Sequence, residues 1–386
     1  MNETEITGSI VEHFGKLMDP RLERTRIHKL SDILVIAICA IICHADNWVD
    51  VESYGRAKEA WFKTFLDLEY GIPSHATFNR VFAHLDAKQF EACFVNWVKA
   101  VSEITTGQVI AFDGKLPRGS RDGTLGKGAI DIVSAWATEN QISLGQVKVN
   151  DKSNEITAIP ELLSVLELSG CIVTIDAIGC QTEIVKQIVI EKEADYAIAL
   201  KENQGKLYED VVLLFKDLEK SHYSAYAFEY AETFNQGHGR SEKRECWTIS
   251  DPEVLKYLRG FEKWEKLRTV SLIRSYRWEG QHESVEDRHH IASITGAKRL
   301  LTTVRSHWGI ENRLHWVLDI AFDEDHCRIR KNNGAENFSI LRHIALNLLK
   351  QEHSSTRSIR GKRLLAAWDN SYLQKVLVGF SQLVYT

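Results

Sequence analysis

The sequence predicts an α/β protein behind a helical N-terminal region. Three observations carry this. Residues 1 to about 100 show apolar spacings of three and four and no strong strand signal. From residue 108 to residue 200, short apolar runs alternate with amphipathic stretches in the order three strands, helix, strand, helix, strand. The runs at 109–112, 172–175 and 196–200 also lack the apolar–polar alternation of half-exposed strands, as expected of strands covered on both faces.

Taken in order, Ser31 and Asp32 are placed to cap a helix carrying "ILVIAICAIIC". That run, Ile33 to Cys43, is too short to cross a bilayer and reads as a buried helix. After a break at Gly71 and Pro73, Ser74 caps a helix with Phe78, Val81, Phe82 and Leu85 on one face. "FEACFVNWVKAV" continues the helical pattern. "QVIAFDG" is then a strand ending at Asp113 and Gly114, and "GAIDIVSAWAT" and "QISLGQVKV" form a hairpin about Glu139 and Asn140. "NEITAIPELLSVL" reads as a helix, "CIVTIDAIG" as a strand ending at Asp176, "QTEIVKQIVIEKEA" as a helix and "DYAIAL" as a strand. Residues from about 205 to 296 are more polar, helix first and then strand-like pieces such as "RECWTIS", and read as an insertion into the αβ region. Near Gly296 a long helix begins that carries Glu311. "NFSILRHIALNLLK" is a further amphipathic helix, which places C-terminal helices within residues 333–386.

Composition narrows the class. The 386 residues allow two or three modest domains, and 44% hydrophobic with 26% charged residues is ordinary for a soluble globular chain. The start, "MNETEITGSIVEHF", has no basic region followed by an apolar run, so no export signal and no membrane association is expected. The seven cysteines show no paired zinc-type spacing, and reduced thiols in a cytoplasm are expected. The net charge of −5 means that any nucleic-acid contact must come from local basic patches.

Asp113 and Asp176 share a context, since each ends an apolar strand and precedes a glycine-bearing loop. In open αβ sheets, ligands bind beyond the carboxyl ends of the strands. If the two strands are parallel neighbours, both carboxylates meet at one edge, repel each other, and are relieved by a hard cation such as Mg²⁺. A lone aspartate at a strand end is more often a turn or cap residue, and the matched pair is what argues against that here. Glu311 is the best third carboxylate. At about 100° per residue, Ile310, Leu314, Val317, Leu318, Ala321 and Phe322 make one apolar helix face with Glu311 on its edge, at an expected sheet–helix seam. An unpartnered carboxylate in such a place is expensive, so a metal, a partner or a raised pKa is expected. His307 and His315 flank Glu311 at four-residue spacing without the H-E-x-x-H pattern of zinc sites, so hydrogen bonding suits them better than ligation. Asp323, Glu324 and Asp325 compete with Glu311 as the third carboxylate.

Several long ordered motifs then carry a resemblance over almost the whole chain. "IAFDGK", "QVKVNDKSNEITAIPELL", "TIDAIGCQ", "YAIALKENQ" and "HWGIENRLHWVLDIAFDEDHCRIRKNNGAENFSILRHIALNLL" resemble the H-repeat-associated transposases, DDE enzymes of bacterial insertion sequences. "RIHKLSDILVIAICAIICHADNWVDVESYG" and "GIPSHATFNRVFAHLD" resemble the helical domain associated with that family. The resemblance implies a helical domain over 1–100 and an RNase-H-like catalytic domain over 101–386, with a mixed sheet flanked by helices and a β-rich insertion before the last acidic residue. It also implies Asp113, Asp176 and Glu311 as catalytic and metal-binding residues, a two-metal Mg²⁺ site in which Mn²⁺ can substitute, and cleavage and strand transfer of double-stranded DNA, with a homodimer on the DNA as an expected state. Against the wider superclass signature, His307 stands in place of an Arg and Leu318 in place of a Lys, while "W-x-I-E" from Trp308 to Glu311 is kept. Ala76 stands where "GIPSHDTF" would have an Asp.

The expected DNA contacts are basic clusters. Lys115, Arg118, Arg121 and Lys127 follow Asp113 in a glycine-rich loop, and "GHGRSEKR" offers His238 and Arg240. Arg305 and His307 precede Glu311, and Arg328 and Arg330 follow the helix. The alternatives are an RNase-H-like nuclease that cuts without transferring strands, and a catalytically silent DNA-binding relic.

Overall fold

The computed structural model describes residues 12–102, 104–121, 129–149, 154–237 and 239–378. Helices α1 (Leu30–Ile42), α2 (Trp48–Ala57), α3 (His75–His84) and α4 (Ala87–Val101) come first, and no strand precedes Val109 among the described residues. Ser74 caps α3 as the sequence suggests, its Oγ accepting from Thr77 N–H. Ser31 and Asp32 do not cap α1. That helix already begins at Leu30, so Asp32 lies inside its first turn and accepts from the Ser31 hydroxyl instead.

The sheet follows: β1 (Val109–Lys115), β2 (Ile132–Ala137), β3 (Ile142–Lys148), α5 (Glu155–Val165), β4 (Ile172–Ile175), α6 (Thr182–Lys186) and β5 (Asp195–Leu200). β1, β2 and β3 are antiparallel neighbours, and β4 and β5 lie parallel to β1. The non-alternating runs are buried on both faces, as in β4, where all four residues are buried.

The polar segment supplies α7 (Gly205–Lys220), β6 (Glu229–Gly237), β7 (Arg240–Ile249), β8 (Thr269–Glu279) and β9 (His282–Ala292). Its strands extend the same sheet. β9 pairs antiparallel with β5, giving nine strands in the order β3-β2-β1-β4-β5-β9-β8-β7-β6. The long helix then runs as α8 (Ala297–Ile310), a π-turn over Glu311–His315 and α9 (Trp316–Phe322).

α10 (Gly334–Gln351) was expected to be amphipathic and is instead buried around nearly its whole circumference. It is covered on two sides, by the N-terminal helices and by β3. Asn337 Nδ2 donates to the Phe82 and Leu85 carbonyls. Asn347 bridges Ser143, accepting from its N–H and donating to its C=O at 2.8 Å each. Its two asparagines therefore satisfy buried backbone, and Ser339 and His343 bond the side chains of Gln146 and Ser143, rather than face solvent. One apolar core runs continuously from α1 through α10 into the sheet.

Candidate active site

The pairing register decides where the carboxylates go. β1 and β4 are parallel, with Phe112 opposite Ile175, so Asp113 and Asp176 occupy the next rung together at the carboxyl edge. Neighbouring strands lie about 4.8 Å apart, so the two residues are adjacent. Asp113, Asp176 and Glu311 line one cavity of about 340 Å³, together with Thr174, Lys201, Arg288, His290, His307 and Trp308. Asp176 also spends Oδ1 on its own turn, accepting the Ile178 N–H at 2.7 Å. The bland role of a strand-end aspartate and its place in the cavity thus coexist.

Glu311 is not buried in an apolar seam. Its side chain is 54% exposed, facing the cavity. The π-turn explains the difference. One extra residue in a turn breaks the 100° spacing used to place Glu311 on the apolar edge, and such turns often re-aim side chains at functional sites. The same turn buries His315 beneath the carboxylates, with Nδ1 3.0 Å from Glu311 Oε2 and 3.6 Å from Asp113 Oδ2. Asp113, Glu311 and His315 each offer one ligand atom within 4.8 Å of the others. The His315 hydrogen bond holds Glu311 below the usual carboxylate range. Asp113 is pushed up to about 6, by burial first and then by the charges of Glu311 and Asp176, against the opposing pull of His315.

An ion-pair network braces this edge. Lys115 Nζ donates to the His315 carbonyl at 3.1 Å, Asp319 Oδ1 at 2.6 Å and Glu324 Oε2 at 2.8 Å. Glu324 is only 2% exposed. Burial alone would raise its pKa, but Lys115 and Arg342 outweigh that and hold it at about 2. Lys115 was expected to contact phosphate, yet all three of its protons are engaged inside the protein. The competitors of Glu311 are occupied as well: Glu324 by Lys115, Asp325 by the Arg118 N–H at 3.0 Å, and Asp323 by His326.

Of the glycines after Asp113, Gly123, Gly126 and Gly128 lie outside the described residues. Gly119 serves the protein's own packing: a Cβ there would lie 2.5 Å from the Cys327 carbonyl. Arg118 and Arg121 are exposed beside this crossing, Arg328 is exposed, and Arg330 Nε donates to the Gly119 carbonyl. Lys127 and His238 lie outside the described residues. Arg240 pairs with Glu242, as does Arg244 at 2.6 Å, so these two arginines are matched by a neighbouring glutamate. Arg305 borders a separate cavity of about 400 Å³ with Arg313, Asn312 and Trp308. His307 lies against the sheet, Nδ1 3.0 Å from Thr174 Oγ1, and burial pushes its imidazole down to about 4.

Sequence reasoning left out Lys201, Arg288 and Trp308. "W-x-I-E" held the signal for Trp308, which is 47% exposed at the cavity mouth. For Arg288 no local pattern existed, because a β9 residue reaches the site only through the pairing of β9 with β5.

Comparison with known proteins identifies the family. A family model described as "Transposase DDE domain" matches residues 104–348, and one described as "DDE_Tnp_1-associated" matches residues 11–98. The chain is 40% identical over 381 residues to "Putative transposase YncI" of Escherichia coli O157:H7, covering 97% of this chain and 96% of that protein. It is 38% identical over 376 residues to "H repeat-associated putative transposase YhhI" of Escherichia coli (strain K12), covering 96% and 98%. No helix among the described residues is long and apolar enough to cross a membrane. The matched span holds all nine strands and the three carboxylates at their edge, and the chain belongs to the DDE transposase family.

Proposed function

We propose that the protein is a DNA transposase that cuts the ends of its insertion sequence and joins them to target DNA, with Asp113, Asp176 and Glu311 as the catalytic carboxylates. The observation that carries this is their convergence on one cavity from three separate elements, β1, β4 and the π-turn of the long helix. An RNase-H-like core over 101–386 is supported by the order β3-β2-β1-β4-β5, with β1 to β3 antiparallel and β4 and β5 parallel to β1. Residues 1–100 then form the associated helical domain.

The donor set fits a hard divalent cation. Carboxylate oxygens are the ligands that Mg²⁺ and Mn²⁺ prefer, and Asp113 and Glu311 bring theirs close together at one cavity that Asp176 also lines. Asp113, Asp176 and Glu311 would hold two Mg²⁺, or Mn²⁺ in their place, which when bound activate the attacking oxygen and stabilise the leaving one. The protein's own residues do the rest. His315 holds the Glu311 carboxylate by a hydrogen bond and lies beside that of Asp113, and Lys115 ties the end of β1 to the π-turn through the His315 carbonyl.

In the first reaction, water attacks a phosphodiester at the element's end, and the bond to the departing strand breaks as a 3′-OH is freed. That 3′-OH then attacks a phosphodiester of the target, and as the new P–O bond forms the target strand's own P–O3′ bond breaks and releases a target 3′-OH. No covalent protein–DNA intermediate forms, so no serine or tyrosine nucleophile is required. Exposed Arg118, Arg121, Arg305 and Arg328 would meet the backbone of double-stranded DNA, His307 would act from within the cavity wall, and a homodimer would be the working state. A plasmid carrying the gene with its flanking DNA, incubated with the full chain and Mg²⁺, should show excision and joined products. Cutting without joining would favour a nuclease, and neither would favour a silent relic.

A further inference from the structure

The "KENQ" segment after β5 has no role in the mechanism above, yet it lies at the cavity. Resting on the reading that the three carboxylates cut DNA, we propose that Lys201, with Arg288 opposite it, grips a backbone phosphate flanking the one being cut, and that the strand leaves the site along a second cavity.

Register places the pair. Leu200 stands opposite His289 in the antiparallel β5–β9 ladder, so Lys201 and Arg288 occupy the next rung. On the parallel side Ile175 stands opposite Ile198, so Ala199 is level with Asp176. One sheet edge therefore carries two anions, Asp113 and Asp176, followed by two cations. At the usual strand spacing and rise, the Lys201 backbone lies roughly 8 Å from that of Asp176, room for a neighbouring phosphate rather than the same one.

Two cavities meet here. The catalytic cavity of about 340 Å³ and a second of about 570 Å³ share Asp176, Ala199, Lys201 and Arg288. Lys201 is exposed, and among the described residues no hydrogen bond or ion pair engages its ammonium. That contrasts with Lys115, whose donors are all taken. Arg288 is partly held, Nε on Glu286 at 2.8 Å and its guanidinium 4.9 Å over the Trp308 ring, which fixes its plane at the passage between the cavities. An arginine so oriented presents its remaining N–H groups to an oxyanion.

The loop that presents Lys201 is stapled to the loop of Asp176. Asn203 Nδ2 donates to the Ala177 carbonyl at 2.7 Å, and Gln204 Nε2 donates to the Cys180 carbonyl. The free cation is thus held at a fixed offset from the catalytic aspartate. Such preorganisation is what distinguishes a phosphate grip from a solvated lysine.

The test uses the full chain and a duplex defined by mapping the cuts on a plasmid carrying the gene with its flanks. Each phosphate near the cut is replaced in turn by a neutral methylphosphonate. The wild type should slow on the order of 100-fold at one flanking position, the loss expected for one charge-stabilising contact. Lys201→Ala should slow similarly on unmodified DNA and be indifferent to that replacement, and Lys201→Arg should recover most of the rate. Lys201 holds nothing in the protein, so the alanine variant should melt with the wild type. If Lys201→Ala keeps full sensitivity at every position, or cuts at the wild-type rate while Asp176→Asn is inactive, the Lys201 proposal falls alone. If Asp176→Asn cuts undiminished, the underlying reading falls with it.

Discussion

His315 reaches Glu311 across one π-turn, Nδ1 to Oε2 at 3.0 Å, and the same nitrogen lies 3.6 Å from Asp113 Oδ2. A buried imidazole thus joins a carboxylate from the helix to one from β1. Groups that orient metal-binding carboxylates typically contribute 10- to 100-fold to affinity or activity. His315→Ala should therefore lower Mn²⁺ affinity and DNA cleavage by about that factor, read by calorimetric titration and by the plasmid assay. Unaltered Mn²⁺ affinity would mean that His315 only fills space.

Asp113→Asn, Asp176→Asn and Glu311→Gln should each abolish cleavage in Mg²⁺ and in Mn²⁺. Binding to duplex DNA should survive or tighten, because each change removes an anion that faces phosphate. A variant that bound DNA normally and still cut would remove that residue from the catalytic set.

Glu91 on α4 offers a test remote from the cavity. Its Oε1 accepts the Gln146 N–H at 2.8 Å, while Oε2 is buried without a partner. Burial pushes this carboxyl up to about 8, Glu336 adds to the effect, and the Gln146 N–H opposes it. The folded protein therefore holds a proton that the unfolded chain releases near pH 4.3. This group's contribution is fully present below the unfolded value and is lost as pH rises through the window up to about 8, at about 1.4 kcal/mol per unit. Glu91→Gln keeps the acceptor and cannot titrate. Urea denaturation at pH 5, 6, 7 and 8 should show the variant gaining on the wild type by about that increment per unit. A pH-independent difference would contradict the buried, protonated state.

What the sequence made legible follows the range of the interactions involved. The apolar strands leading to Asp113 and Asp176 and the Ser74 cap come from local patterns, and these were readable; that the two strands are parallel neighbours was only a condition there and is supplied by the β1–β4 pairing. The π-turn at Glu311–His315 was not readable. A one-residue change of winding leaves no periodic signature, so Glu311 was expected in an apolar seam and His315 was not expected as the group joining two carboxylates. α10 was misread as amphipathic because its polar residues look solvent-facing until β3 and the N-terminal helices cover both sides. Lys201 and Arg288 needed the β5–β9 register, which pairs residues 87 positions apart.

The loop after Asp113 holds cations of two kinds, and the difference can be measured. Lys115 donates three bonds within the protein, and its partner Glu324 is buried. Arg118 has an 88% exposed side chain with only a 3.7 Å approach to Asp325, and Arg121 is exposed. Removing one partner of a buried ion pair leaves an uncompensated charge and typically costs about 3–5 kcal/mol. Lys115→Met should therefore lower stability by that order in urea denaturation. Arg118→Ala with Arg121→Ala should leave stability within about 0.5 kcal/mol, as for surface changes. DNA binding should reverse the ranking. Each phosphate contact contributes roughly one unit to the slope of log K against log salt, so the double arginine variant should flatten that slope by about two. It should weaken all duplexes alike, because phosphate contacts position without specifying sequence. An unchanged slope would make the arginines a solvated surface. A flattened slope in a folded Lys115→Met protein would return Lys115 to the DNA interface.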